Sequence, residues 1–187
     1  MSEASKRTGE LIGAYLEMML GIFSLRLPAV QAVLQTHPSS FSINTSMPGI
    51  GIMFDGGDMT RVMQSPSAPA LAIAVGQVSR MFVAAMWDTL TAQGKYPSIA
   101  TEPEIQFLRH LRNACAHDGR FNFTELKHPA QWRGKQITMT EAGTIALPGF
   151  LADGDLMLLM LDIDERYFEG PGVTSFFEGK AKLSPAA

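Results

Sequence analysis

The sequence predicts a mainly α-helical fold, a bundle of four or five helices with a small β-like insertion near Gln136–Leu147. Apolar residues recur at helical spacing through three long segments, and prolines or glycines stand at the ends of these segments. Short alternating stretches then predict a hairpin of 136–140 with 144–147. Of the 187 residues, 46% are hydrophobic and twelve are methionine, which is typical of helices with much buried or partner-facing surface.

The amino-terminal region predicts one long helix and one short helix. Apolar side chains follow helical spacing over 2–25, and Ser2 or Ser5 can cap the first turn. Pro28 kinks or restarts the chain, because proline cannot donate a helical hydrogen bond. A second, shorter helix is therefore expected over 29–35.

A single domain over 1–187 is expected to contain one long loop and one loosely held tail. Residues 39–66 are rich in Ser, Gly and Pro and predict a long loop, in which 50–54 could form a short strand. The second long helix follows over 67–93. From residue 170 to 187, the sequence is typical of a loosely ordered carboxyl terminus.

Two further helices are predicted in the second half of the chain. One covers Glu104–His117, and Thr101 is the expected N-cap. The other covers 156–168 and can be capped by Asp153 or Asp155. The first of these two helices carries the residues that could perform chemistry.

Composition and charge restrict the function classes. The net charge of −3 gives no global attraction for nucleic acid, so a nucleic-acid ligand would need a local basic site. The one cysteine, Cys115, allows no intrachain disulfide and is typical of a reducing compartment. The polar start of the chain argues against a signal peptide, and the apolar stretches 11–27 and 68–87 contain charged residues. We therefore expect a cytoplasmic protein without a membrane segment.

Arg112, Asn113 and His117 form the one group of residues in the chain that suits phosphate chemistry. On a helical wheel Arg112 falls inside the apolar arc, between Ile105 and Leu108, whereas Asn113 and His117 share the polar arc. A guanidinium binds phosphate through two donors, and an imidazole can take and give a proton near neutral pH. These residues predict an RNA-cleaving site that uses the RNA's own 2′-hydroxyl: His117 transfers protons, Arg112 stabilises the phosphate, and Asn113 orients His117 or binds a phosphate oxygen.

A structural interpretation explains the same residues. Arg112 could form an ion pair, and His117 could end its helix, where a cation interacts well with the helix dipole. Gly119 would then be the C′ residue, and Cys115 a small core residue. No metal or cofactor is expected, because His110 and His117 lack a third ligand and Gly49-Ile50-Gly51 is too short for a phosphate-binding loop.

The motif resembles the signature of the HEPN superfamily, the higher eukaryotes and prokaryotes nucleotide-binding domains. Arg112, a polar residue at 113 and His117 fill its positions, with four residues between Arg and His. The flanking residues, Pro129–Lys135 and the apolar run near Leu156 resemble a bacterial, often plasmid-borne, branch. The resemblance covers roughly Glu102–Arg166.

This resemblance implies a metal-independent endoribonuclease or RNA-binding protein, of the kind that includes toxins and defence components. It also implies a homodimer, in which the motif helices of two subunits meet and form the site. Arg109, Arg120 and Lys127 could extend the basic patch. The Tyr that stands two residues after the His in some HEPN toxins is replaced by Gly119, so control through that Tyr by an antitoxin is not implied. An antitoxin or defence partner of another kind stays open.

Two alternatives remain from the sequence. The chain could be a non-catalytic HEPN-fold interaction module, in which Arg112 and His117 stabilise a dimer. It could also be an unrelated helical protein that binds a ligand in a methionine-rich interior. If the chain forms a dimer, as an enzyme or as an interaction module, we expect an exposed apolar seam between the two copies. This seam would be formed by Met18, Met19, Phe82 and Met86.

Overall fold

A computed structural model describes residues 2–36, 40–44, 51–55 and 71–178 of the chain. The described residues are mainly helical, with small antiparallel β pieces, which confirms the predicted fold class. Contacts divide the chain into two compact units, one of residues 1–17 with 75–187 and one of residues 18–74. The single-domain organisation stays a prediction.

The two amino-terminal helices begin close to where the sequence predicts. Helix α1 is Glu3–Ser24 and helix α2 is Pro28–Thr36. Ser2 caps α1, because its Oγ accepts a hydrogen bond of 3.2 Å from the backbone N–H of Ser5. Pro28 is the first residue of α2, where its missing N–H costs no helical hydrogen bond.

A hairpin lies inside the segment that was predicted as a long loop over 39–66. Strand β1 (Ser40–Asn44) pairs antiparallel with strand β2 (Gly51–Asp55), and Phe41 stands opposite Phe54. The strand expected at 50–54 is thus present, but it begins and ends one residue later than predicted. Its partner strand was not predicted. Residues 41–43 alternate between apolar and polar side chains, which is the pattern that favours this partner strand. The predicted loop at 45–50 and 56–66 lies outside the described residues.

Helix α3 (Leu71–Thr91) is joined by a chain of polar side chains to the middle of α1 and to the first residue of the last long helix. The Tyr15 ring stacks on Phe82 at 4.2 Å between centroids. The Tyr15 and Ser79 hydroxyls lie 2.9 Å apart, and Ser79 Oγ donates to Asp153 Oδ1 at 2.6 Å. Because every hydroxyl has a partner, this polar group can be buried at low cost.

The same packing corrects the predicted apolar seam. Phe82 and Met86 are buried, at 1% and 0% exposed, whereas Met18 is 41% exposed and Met19 is half-buried. Phe82 fills the core because it stacks on Tyr15. A helical stripe of apolar residues can be covered by the chain itself or by a second copy, and the stripe on α3 is covered by the chain itself.

After a short helix α4 (Tyr96–Ile99) and helix α5 (Pro103–Ala116), the chain forms the small β insertion. Strands β3 (Ala130–Trp132) and β4 (Lys135–Ile137) make an antiparallel hairpin. The predicted return strand, 144–147, does not pair with 136–140. Its residues bond to the segment after α5 instead: Phe121 donates to Thr144 O at 3.0 Å, and Ala146 donates to Gly119 O at 2.9 Å.

The chain ends in two helices. Helix α6 (Asp153–Phe168) begins three residues earlier than predicted, with Ala152 as N-cap, and Asp155 Oδ2 accepts a hydrogen bond from the Ala152 N–H at 3.2 Å. Helix α7 (Gly172–Phe177) occupies part of the tail that was predicted to be loosely ordered. Residues 179–187 lie outside the described residues. Among the described helices, none is both long and apolar enough to cross a membrane.

Candidate functional site

Helix α5 presents a wholly buried face, and that face fixes the direction of the motif residues. Its apolar side chains are completely buried: Ile105, Phe107, Leu108, Leu111 and Ala114. The N-cap is Glu102 in an extended conformation, not Thr101, and Pro103 provides the first turn. Gln106 is also buried, at 4% exposed, and its side-chain amide donates to the Ala100 carbonyl.

Arg112 lies at the border of this buried face and is half-buried. Within the described residues, it forms no ion pair and no hydrogen bond, unlike Arg7, Arg133 and Arg166, which pair with carboxylates. The ion pair of Arg112 that the structural interpretation expects is therefore not formed within the described residues. A half-buried guanidinium without a carboxylate keeps its charge and its five donors for another ligand.

His117 stands at the point where α5 ends. It is the C-cap residue, with an exposed side chain, and its N–H donates to Ala114 O at 3.0 Å. Asp118 follows at φ 59° and Gly119 at φ 75°, and the Gly119 N–H also bonds to Ala114 O, at 2.9 Å. The left-handed C′ residue is therefore Asp118, and Gly119 is C″, one place later than predicted. The helix ends there with the Ala114 carbonyl accepting both of these hydrogen bonds.

Asn113 and His117 are four residues apart, so their side chains are neighbours on α5. Asn113 is half-buried. Arg112 points to another side of the helix, as its place on the helical wheel predicts, and no hydrogen bond joins it to His117 in the part of the chain described. The chain therefore presents the cation and the imidazole at one helix end, but no hydrogen bond joins the two groups within the described residues.

Arg80 is the residue that sequence analysis missed at this site. A Cβ built on Gly119 would lie 2.2 Å from Arg80 Nη2 and 2.7 Å from Arg80 Cζ, so the guanidinium from α3 rests directly on Gly119. Arg80 Nε is buried and has no hydrogen-bond partner among the described residues. The sequence did hold one signal: Arg80 is the single charged residue in the apolar stretch 71–87.

Cys115 is half-buried on α5 and lies within electrostatic range of Arg80. Burial raises the pKa of its thiol to about 11, while the charge of Arg80 opposes this rise. The electrostatic effect places Arg80 close to Cys115, and Arg112 lies three residues before Cys115 on the same side of the helix. The thiol is protonated at neutral pH, but Cys115 is half-buried and is not the core residue that the sequence predicts.

The other predicted basic residues have different surroundings. Arg109 is exposed. Arg120 is exposed as well, but its Nη1 donates to Gly143 O at 2.8 Å and so holds the segment that follows the motif. Lys127 pairs with Glu125 at 3.3 Å on the surface. Arg109 is thus the member of this set with no partner in the described structure.

The second histidine of α5 has a different environment from His117. His110 is half-buried and meets the Phe123 ring edge-on at 5.3 Å. Burial, and then the charge of Arg109, lowers the pKa of His110, so this imidazole is neutral at neutral pH. No cluster of three or more His, Cys, Asp or Glu side chains suited to a metal ion occurs in the ranges that the structure describes.

Comparison of the chain with protein-family models, with curated proteins and with solved structures finds no match. The interpretation of the site therefore depends on its residues and their geometry.

Proposed function

We propose that the chain is a HEPN-like, metal-independent endoribonuclease or RNA-binding protein that acts as a homodimer. The observation that carries this proposal is the half-buried guanidinium of Arg112, which has no carboxylate partner in the described residues, beside the exposed imidazole of His117 at the same helix end. A structural role for Arg112 would call for an acidic partner, since a guanidinium removed from water is costly without one.

In the proposed reaction, His117 removes the proton of the RNA 2′-hydroxyl or donates one to the leaving 5′-oxygen. The 2′-oxygen attacks the adjacent phosphorus, the bond to the 5′-oxygen breaks, and a 2′,3′-cyclic phosphate forms. Arg112 neutralises the charge that develops on the phosphate oxygens. Asn113 orients His117 or binds one of those oxygens.

The dimer has a specific part in this proposal. Arg112 and His117 point to different sides of α5 within one subunit, and a second copy would bring another Arg112 and His117 to the same place. Two copies of the motif would also concentrate positive charge locally, although the whole chain carries a net charge of −3. A role as a toxin or defence component, with a protein partner, belongs to the same proposal.

The test uses Arg112→Ala and His117→Ala with two matched controls. Arg7→Ala removes an exposed arginine that pairs with Glu3 at 3.5 Å on α1, and His128→Ala removes an exposed histidine. We expect each motif variant to lower the rate of single-stranded RNA cleavage by about 100-fold or more, because general acid–base catalysis contributes on this scale. The controls should keep the original rate.

Thermal melting and light scattering of the same variants separate this proposal from a non-catalytic dimer module. Arg112→Ala should leave the melting temperature unchanged or higher, because no ion pair is lost, and the dimer should persist. If Arg112 held a carboxylate across the dimer, its removal would cost about 3 kcal/mol or more. A large fall in melting temperature, together with no RNA cleavage by the unmutated protein, would defeat the enzyme proposal and favour the module.

A further inference from the structure

Arg80 has a guanidinium group whose surroundings the Arg112–His117 motif does not explain. Its guanidinium comes from α3, packs against the backbone of Gly119 and is half-buried. In a purely structural role, such a group donates to a carboxylate or to the free carbonyls at a helix end. Arg80 forms neither an ion pair nor a hydrogen bond within the described residues, and its Nε is buried without an acceptor.

The place of Arg80 connects it to the motif. It rests on Gly119, two residues after His117, and it acts electrostatically on Cys115, which is three residues after Arg112. Two guanidinium groups thus belong to the end of α5: Arg80 lies against Gly119, and Arg112 lies on the helix face that it shares with Cys115. No described carboxylate pairs with either group, so their charges add.

We propose that Arg80 is a second phosphate-binding cation of the RNA site, and that Gly119 positions it. This inference rests on the proposed function and extends it by one residue from a different helix. The unpaired donors of Arg80 and Arg112 would bind the phosphate backbone of a single RNA strand as it passes the end of α5. A charged phosphate would supply acceptors for the Nη groups of Arg80, since its Nε is buried.

Gly119 is required in two ways. Its φ of 75° favours glycine, and its missing side chain leaves the space that the Arg80 guanidinium occupies. A methyl group at Gly119 would overlap Nη2 and Cζ of Arg80, so the guanidinium would have to move. Gly119→Ala therefore displaces the charge of Arg80 without removing it.

The test measures binding of a single-stranded RNA oligonucleotide that carries 2′-O-methyl groups, because this probe cannot be cleaved through its 2′-oxygen. Fluorescence anisotropy at several salt concentrations gives the Kd and the slope of log Kd against log salt. We expect Arg80→Gln to raise the Kd about tenfold and to reduce the slope by about 0.7, which corresponds to one phosphate contact on a single strand. A purely structural role would not change the slope.

Three variants make the result specific. Arg80→Lys keeps the charge but loses the planar pair of donors, so it should recover the slope and only part of the affinity. Gly119→Ala should weaken binding, with its melting temperature measured to exclude unfolding. Arg7→Gln makes the same charge change as Arg80→Gln at an exposed position of α1, and its Kd should stay within about twofold of the original.

The outcomes separate this inference from the proposed function. If Arg112→Gln weakens binding while Arg80→Gln behaves like Arg7→Gln, the inference about Arg80 is overturned and the proposed function stands. If Gly119→Ala folds normally and binds as tightly as the unmutated protein, the positioning by Gly119 is overturned. If the unmutated protein does not bind the oligonucleotide at all, both proposals fail.

Discussion

Among single residues, Arg112 has the most unusual surroundings in α5. Most of the described arginines with partners pair with nearby carboxylates on the surface, such as Arg133 with Asp162 and Arg166 with Glu104. Arg112 is half-buried and has no such partner in the described residues. Its conflict with the apolar arc was visible in the sequence, because the helical wheel depends only on residue spacing.

Arg80 could not be assigned to the same site from the sequence. Its contact with Gly119 joins two residues that are distant along the chain, and helical spacing carries no information about such contacts. The predictions of Thr101 as N-cap and of Gly119 as C′ residue were wrong for a related reason. Each depends on where a helix begins or ends and on which backbone group lies next to it.

Cys115 provides a test at the residue scale. With a pKa of about 11, roughly one thiol in a thousand is ionised at pH 8, and the thiolate is the reactive form. We expect iodoacetamide to modify the native protein far more slowly than the urea-unfolded protein at pH 8. The native rate should then rise about tenfold per pH unit up to pH 10. Equal rates for native and unfolded protein at pH 8 would show that the thiol is not held as described.

Among elements, the helices were predicted well because local signals define where they begin. The pairing of β-strands was not predicted well. Helices α1, α2 and α6 begin within about three residues of the prediction, since serine, proline and aspartate caps act on adjacent backbone groups. The β insertion was predicted, but 144–147 pairs with the segment after α5 and not with 136–140. Strand pairing depends on distant residues, so alternation alone cannot identify the partner.

Asp162 is expected to fasten the β3–β4 hairpin to α6. Both its oxygens accept hydrogen bonds from Arg133, at 2.6 and 2.8 Å, and Oδ2 also accepts one of 2.7 Å from Trp132 Nε1. Asp162→Ala should lower the free energy of unfolding by about 2 kcal/mol. It removes the charge-assisted hydrogen bonds from Arg133 and leaves the indole N–H of Trp132 without an acceptor. Urea denaturation measures this change.

Asp88→Ala is the matched control, since Asp88 is an exposed aspartate of α3. Its free energy of unfolding should stay within about 0.5 kcal/mol of the original. An Asp162→Ala variant as stable as Asp88→Ala would contradict the role of Asp162 in holding the hairpin.

In the whole molecule, the proposed function depends on concentrating positive charge in a chain whose net charge is −3. Arg80 and Arg112 supply that charge locally, and a dimer would double it. The surface through which two copies would meet stays a prediction, because Phe82 and Met86 of the expected seam are buried in the core. The sequence could identify apolar helix faces but not what packs against each face. The rest of the same chain and a second copy of it would bury the same side chains.

The most direct test of the RNA site is the chemistry of its products. Purified protein is incubated with single-stranded RNA in excess chelator, and the new ends are identified by mass spectrometry. Because the proposed reaction uses only side chains and the RNA 2′-hydroxyl, cleavage should continue in chelator, leave 2′,3′-cyclic phosphate and 5′-hydroxyl ends, and disappear in His117→Ala. Cleavage that stops in chelator, returns with a divalent ion and leaves 3′-hydroxyl ends would contradict the Arg112–His117 mechanism.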